Sequence, residues 1–179
     1  MSDEKPLFCR GFLFGYICFM FGAIRNLCNN ILALDENEVV MSAIRKPEIK
    51  RHIIYLNAFD QLFLGGLNSD GEIVGYYRNT TELMSEGDSF TFNGLTKRKI
   101  AGDAYFFYDS GGFLRSFSVS IKKDGFTIKA NDEIDDEFFG SLTEKFGKNL
   151  IGLTDESKTE LGVKILPMVR KFVLESVLK

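Results

Sequence analysis

The stretch FLRSFSVSI (113–121), followed by KKDG (122–125) and FTIKA (126–130), decides the fold class. Phe113, Phe117, Val119 and Ile121 fall on one face over most of its length, and Phe126, Ile128 and Ala130 alternate after a turn. This pattern predicts an antiparallel hairpin, with the strand beginning near Ser116 if its start is helical instead. Helical patterns flank it. Upstream, Pro47 suits a first helical turn, and Ile49, Ile53, Leu56, Phe59, Phe63 and Leu67 recur every three to four residues. That spacing predicts an amphipathic helix of about twenty residues, loosened at Gly65-Gly66 and followed by a turn at Asn68–Gly71. Downstream, Ile134, Phe138, Leu142 and Phe146 form one stripe, and Gly147 can end it in the left-handed conformation. Thr154 reads as the N-cap of a last helix, with Asp155 and Glu156 favoured in its first turn. Leu161, Ile165, Val169, Phe172 and Val173 carry its apolar pattern, and Pro167 predicts a kink or break. Between these parts, EIVGYY (72–77) reads as a short strand, TTELMSEGDS as polar with about one helical turn, and SFTFNG as a strand ending in an Asn-Gly turn. AYFFY (104–108) reads as extended. Helices, a small antiparallel sheet with a hairpin, then helices make an α+β chain.

Composition narrows the function classes. The chain has 179 residues, of which 45% are apolar and 26% charged, with a net charge of −3. A disordered tail and a free-standing basic nucleic-acid binder are both excluded by that balance. There are 18 Phe, no Trp and a single His. One imidazole disfavours any metal site or triad that needs several. Charge is uneven: residues 131–160 carry nine acids and three bases, whereas residues 161–179 carry four bases and one acid. A solvated face explains such blocks, and so does a charged face that meets an opposite one on a neighbouring subunit.

Residues 1–40 differ from the rest and read as an apolar helical arm; residues 41–179 read as one α+β domain. Positions 7–34 hold 20 apolar residues out of 28, and Gly11 to Ile24 contains no charge. That uncharged run is shorter than the roughly 20 residues a spanning helix needs. The start, MSDEK, is mixed in charge and no small-residue cleavage site follows, so no secretory leader is expected. The arm is expected to be a helix buried on most sides or sunk into a partner, with Phe12, Phe14, Phe19 and Phe21 as contact residues. Membrane anchoring through residues 7–34 is the rival expectation, and a membrane span is disfavoured. Cys9, Cys18 and Cys28 share no helical face and no CxxC spacing, so buried reduced thiols are expected.

No motif for a cofactor or metal is complete, and none is expected. Asp109-Ser110-Gly111-Gly112 has the letters found around a protease serine, but the mechanism needs a His base and an orienting carboxylate. His52 sits on a predicted helix, and a tight turn explains the four residues better. Asn68, Asp70 and Glu72 lack the Gly and Glu positions of a calcium loop. Asn79-Thr80-Thr81 fits a glycosylation sequon, though nothing implies secretion. Lys97, Arg98 and Lys99, with Lys122 and Lys123, offer phosphate contact; solubility of a loop is the plainer reading.

Three stretches in this order resemble a known family: QLFLGGLNSDGEIVGYYRNTTE (61–82), KRKIAGDAYFFYDSGGFLRSFSVSI (97–121) and KFGKNLIGLTDESKTELGVKILPMV (145–169). They are similar to neck, head–tail connector, tail-completion or virion-morphogenesis proteins of tailed bacteriophages, including ring proteins of short-tailed and crAss-like phages. The matching positions are Gly75, Tyr77, Thr81, Asp109, Gly111, Phe113, Ser116, Phe117, Leu153 and Thr154, with Ser110 where the family usually has Thr. The resemblance covers about residues 45–179 and leaves 1–40 unmatched. It implies a structural virion protein without enzyme activity, assembled in the host cytoplasm into a homo-oligomeric ring at the head–tail junction or tail. Portal and other neck or tail proteins would be its partners, with passing contact to genomic DNA. The expected contact surfaces are the arm, Lys97-Arg98-Lys99, the hairpin with Phe113 and Phe117, and the carboxyl-terminal helix.

Overall fold

The computed structural model describes residues 22, 24–131 and 141–177. Phe12, Phe14, Phe19, Phe21, Cys9, Cys18, and the Ile134 and Phe138 part of the predicted stripe lie outside the described residues. Residues 24–32 are helical. α1 (Glu36–Ile44) follows, with the Asp35 carboxylate accepting from the N–H of Asn37 (2.9 Å) and Glu38 (3.4 Å) as its N-cap. α2 (Pro47–Ile54) starts on its proline and runs without interruption into a π-helical continuation, Tyr55–Gly65. Next come α3 (Asn79–Met84), the hairpin of β1 (Phe90–Phe92) and β2 (Leu95–Lys97), and α4 (Gly112–Arg115). A second hairpin joins β3 (Ser118–Lys122) to β4 (Gly125–Lys129), before α5 (Leu142–Phe146), a 3-10 turn at Lys148–Leu150, and α6 (Asp155–Val177). The chain is α+β, with two separate two-stranded antiparallel sheets among the described residues.

α2 and its π-helical continuation touch two cores at once. One is aliphatic: Met41, Ile44, Ile49, Ile53, Leu56 and Leu161, joining α1, α2 and α6. The other is mainly aromatic and gathers Phe59, Phe63, Tyr77, Phe106, Tyr108 and Phe117. A helix covered on several sides needs more than one apolar stripe, so Ala58 and Leu62 are buried beside the predicted Leu56, Phe59 and Phe63. Asn57 and Gln61 are buried too, and both serve one purpose. Asn57 Nδ2 and Gln61 Nε2 donate to the Gly152 carbonyl at 2.8 and 2.9 Å, while Gly152 N–H donates to Asn57 Oδ1 (3.2 Å) and Thr154 N–H to Gln61 Oε1 (3.2 Å). Two side-chain amides thus satisfy buried backbone that enters no sheet. The helix ends at Gly66 (φ +62°), where a Cβ would come within 2.4 Å of the Tyr105 carbonyl oxygen.

Several local expectations change in detail. EIVGYY makes single bridges, Leu67 to Ile73 and Tyr76 to Ala104, and no continuous strand. Its backbone switches partner partway: Val74 N–H donates to Gly66 O, and Tyr77 N–H to Asp103 O. Phe107 has φ +51°, held among Tyr105, Phe113 and Phe146, which breaks the extended run at 104–108. The first part of FLRSFSVSI is helical, as α4, and β3 begins only at Ser118; the hairpin pairs Ser118 with Lys129 through Lys122 with Gly125. Asn93 (φ +48°) and Gly94 (φ +82°) form the two-residue turn between β1 and β2. Gly147 has φ +97° and ψ 155°, a positive-φ stop outside the left-handed helical region. Thr154 caps α6, its Oγ1 accepting from Ser157 N–H at 3.1 Å. Pro167 does not break α6, which is helical throughout. The turn it leaves short of a hydrogen bond contains Val163, which is exposed, so solvent reaches it. Residue 40 falls inside α1, so the helix joining arm to domain contributes Val39, Met41, Ala43 and Ile44 to the interior.

Candidate interaction surfaces

The sequence-predicted contact residues divide sharply. Lys97 turns inward: its Nζ donates to the carbonyls of Phe63 and Leu64, both at 3.1 Å, and lies over the rings of Phe63 and Phe106. It therefore satisfies carbonyls at the end of the central helix, where a cation is favoured, and burial pushes its ammonium below the usual lysine range. Lys99 lies 4.4 Å over the Phe90 ring and pairs with Asp109 at 3.1 Å. Arg98 between them is exposed, as alternation along an extended segment requires. Phe117 is buried and Phe113 half-buried, their rings 5.3 Å apart in the aromatic core. Packing occupies them.

The other chemical candidates resolve into local structure. Ser110 Oγ accepts from Gly112 N–H (3.2 Å), and Gly111 has φ +79° ahead of α4. Asp109 is taken by Lys99, and His52 lies against Glu160 of α6 with Nε2 3.3 Å from Oε1. Nε2 is buried and makes no hydrogen bond among the described residues. Burial, then the Glu160 charge, pushes the nearby Asp60 carboxyl above the usual range, while the Tyr55 hydroxyl donates to it. Asn68 Oδ1 accepts from Asp70 N–H and Glu72 N–H, each at 2.9 Å, and Asp70 accepts from Asn149. The Asn68 and Asp70 side-chain oxygens are thereby committed to local structure. No group of three or more metal-ligating side chains is gathered among the described residues.

The surfaces without an internal partner lie elsewhere. In the helix over residues 24–32, every side chain except that of Asn30 is exposed, including Ile24, Leu27, Ile31 and Leu32. Asn30 Nδ2 donates to the Val177 carbonyl at 3.3 Å and ties this helix to the end of α6. Cys28 is a free, exposed thiol, not a buried one, because among the described residues this helix is met only at Asn30. A helix this short is marginal in water without packing. α6 is apolar on two opposite faces. Leu161, Ile165 and Met168 point to the aliphatic core, whereas Val163 (69% exposed), Leu166 (53%) and Leu174 (59%) line the other side. At about 100° per residue, positions 163, 166, 170 and 174 share one stripe, which places Arg170 within it and Lys164 and Lys171 beside it. Lys164 and Arg170 have no ion pair among the described residues; Lys171 lies 3.8 Å from Glu175. At the end of α3, Leu83 (76%) and Met84 (88%) are exposed, with Glu86 and Asp88 exposed just beyond. Glu82 anchors that end by accepting from Ala101 N–H at 3.0 Å.

Sequence reading found the basic carboxyl-terminal helix but not its second apolar stripe, because the stripe contains only three residues and is interrupted by Arg170. Leu83 and Met84 were hidden in a stretch read as polar. No helix among the described residues is long and apolar enough to cross a membrane. Comparison with protein-family models, with curated proteins and with solved structures finds no match to this chain.

Proposed function

We propose that this chain is a structural subunit of a phage head–tail connector, assembling as a ring between portal and tail to seal or extend the DNA channel. The observation that carries the reading is the pair of apolar surfaces, joined at Asn30 and Val177, that no described residue covers: the helix over 24–32 and the outer face of α6. The body already buries two cores of its own, so these surfaces are surplus to folding and suit contact between subunits. The motif positions that carry the connector resemblance support the same reading in another way. Tyr77, Phe117, Leu153 and Thr154 are buried, so what the resemblance tracks is the scaffold, while the contacts between subunits lie on the remaining surface. Ring formation requires two different faces per subunit.

The test is mass by analytical ultracentrifugation, of the chain alone and mixed with a portal protein. A closed oligomer, or a stoichiometric complex with the portal, is the expected result. A strict monomer that binds no virion component overturns the reading.

A further inference from the structure

We infer that the outer face of α6 is occupied by a second copy of this chain, which presents the end of its α3. This rests on the ring reading above and names its interface. The two surfaces are complementary in both relevant respects. Each offers exposed aliphatic or thioether side chains: Val163, Leu166 and Leu174 on α6, and Leu83 and Met84 on α3. They differ in charge. On the first, Arg170 lies in the stripe and Lys164 and Lys171 beside it, with Glu175 3.8 Å from Lys171; Glu86 and Asp88 follow the second, and neither acid has an ion pair among the described residues. Apolar contact would supply the affinity and the charges would fix the register and exclude wrong pairings.

Charge also selects against two other occupants. Two α6 faces packed on each other would bring six basic side chains together against two glutamates, both Glu175. The arm of a neighbouring copy carries Arg10 and Arg25 and no acid anywhere from residue 7 to residue 34, so it would add positive charge to a positive face. The end of α3 brings acids. The two surfaces also belong to different elements: α6 packs on the aliphatic core, and α3 lies in the chain between Tyr77 and Phe90 of the aromatic one. A contact between two different faces is heterologous, and copies joined this way continue head to tail until the rotation closes a ring.

A charge-swap series tests the assignment. Arg170→Glu with Lys171→Glu makes both surfaces acidic and is expected to raise the concentration at which the oligomer forms by about 10–100-fold. Glu86→Lys with Asp88→Lys makes both basic and is expected to do the same. The chain carrying all four substitutions restores complementarity and is expected to recover the parent's assembly. All four positions are exposed, and a thermal melt of each variant checks folding. A cross-link supplies the second readout: on a cysteine-free background, Leu83→Cys with Leu166→Cys is expected to give disulfide-linked oligomers, while either alone gives none. An oligomeric parent whose mass ignores every swap leaves the ring reading standing and overturns this interface. So does a Leu166→Cys variant that cross-links alone, which marks α6 against α6. Loss of binding to vesicles of anionic phospholipid in the Arg170→Glu/Lys171→Glu variant, with unchanged mass, assigns the face to lipid and also overturns it. A parent that is monomeric alone and with the portal removes both readings together.

Discussion

The aliphatic and aromatic cores are built by different means from one continuous helix. The aliphatic core is mainly helix against helix, with the β3–β4 hairpin packed on it through Val119, Ile121, Phe126 and Ile128: α1, α2 and α6 meet through residues spaced three or four apart, such as Ile49, Ile53 and Leu56. The aromatic core gathers rings from segments that belong to no long element. Phe106 and Tyr108 come from an irregular run, Phe90 and Phe92 from a three-residue strand, and Phe117 from the link between α4 and β3. Phe63 stands at its centre, with the rings of Phe59, Phe92, Phe106 and Tyr108 all within 6.0 Å. Regular elements satisfy their own backbone; irregular ones need side chains to do so. The aromatic side is accordingly the one where Lys97 and Tyr77 bond to main-chain groups, while Asn57 and Gln61 hold the segment between Leu150 of the aromatic core and Leu153 of the aliphatic one.

The largest effect should come from removing the ring on which that side converges. Phe63 is fully buried, and Phe63→Ala is expected to destabilise the fold by about 3–5 kcal/mol. In the aliphatic core, the equally buried Ile53 changed to Val should cost only about 0.5–1.5 kcal/mol. Urea unfolding of both variants measures the contrast. Equal midpoints would mean that the Phe63 site collapses around the missing ring.

Next comes the amide clamp. Asn57→Ala removes the acceptor for Gly152 N–H and one donor to its carbonyl, leaving buried main-chain groups short of partners, at a cost of about 1–3 kcal/mol. If the segment at 152 were held by its neighbours and not by the amides, this variant would unfold at the parent's urea concentration.

What was legible in the sequence follows the same division. The central helix, the Thr154 cap and the β3–β4 hairpin each depend on spacing or on one residue type close by, and all are present. The aromatic core was not legible as a unit, because Phe90, Phe106 and Phe117 belong together only through contacts distant in sequence. The basic run shows the limit most clearly. Lys97 and Lys99 look like a cationic loop in sequence, yet a long side chain can lay its stem across rings and place its ammonium on a carbonyl or a carboxylate. Nothing local distinguishes that use from phosphate contact. The outer stripe of α6 was missed for a different reason: three exposed aliphatic residues on an otherwise charged face are ordinary until a fold shows that the opposite face is already in use.

A smaller effect, with a signature in pH, belongs to Tyr77. Its hydroxyl oxygen accepts from Phe106 N–H at 3.3 Å inside the aromatic core. Burial pushes its pKa up to about 12, against about 10 in an unfolded chain. The folded state therefore holds a proton that the unfolded state releases first, so this contribution is fully present below pH 10 and is lost as pH rises from about 10 to about 12. Tyr77→Phe should cost about 1 kcal/mol at neutral pH through the unsatisfied Phe106 N–H, and should flatten the decline in stability over that alkaline window. A parent and variant that lose stability in parallel above pH 10 would assign the decline to other groups.

The smallest effect on folding should accompany the largest difference in assembly, and this separates the two kinds of apolar surface in the molecule. Leu174 is 59% exposed on the outer face of α6. Replacing it by Ser removes little that folding buries, so the urea midpoint should correspond to a change within about 0.5 kcal/mol. Leu161, on the same helix but facing the aliphatic core and 6% exposed, should cost several times as much when changed to Ser, since a cavity and an unpaired hydroxyl are added together. If α6 is apolar on its outer side for the sake of a neighbour, the ranking reverses in a sedimentation experiment run where both variants are folded. Leu174→Ser then loses the oligomer while Leu161→Ser retains it. The same ranking in both measurements would mean that the outer stripe serves neither folding nor assembly, and that the two apolar faces of α6 differ only in how much of each the body covers.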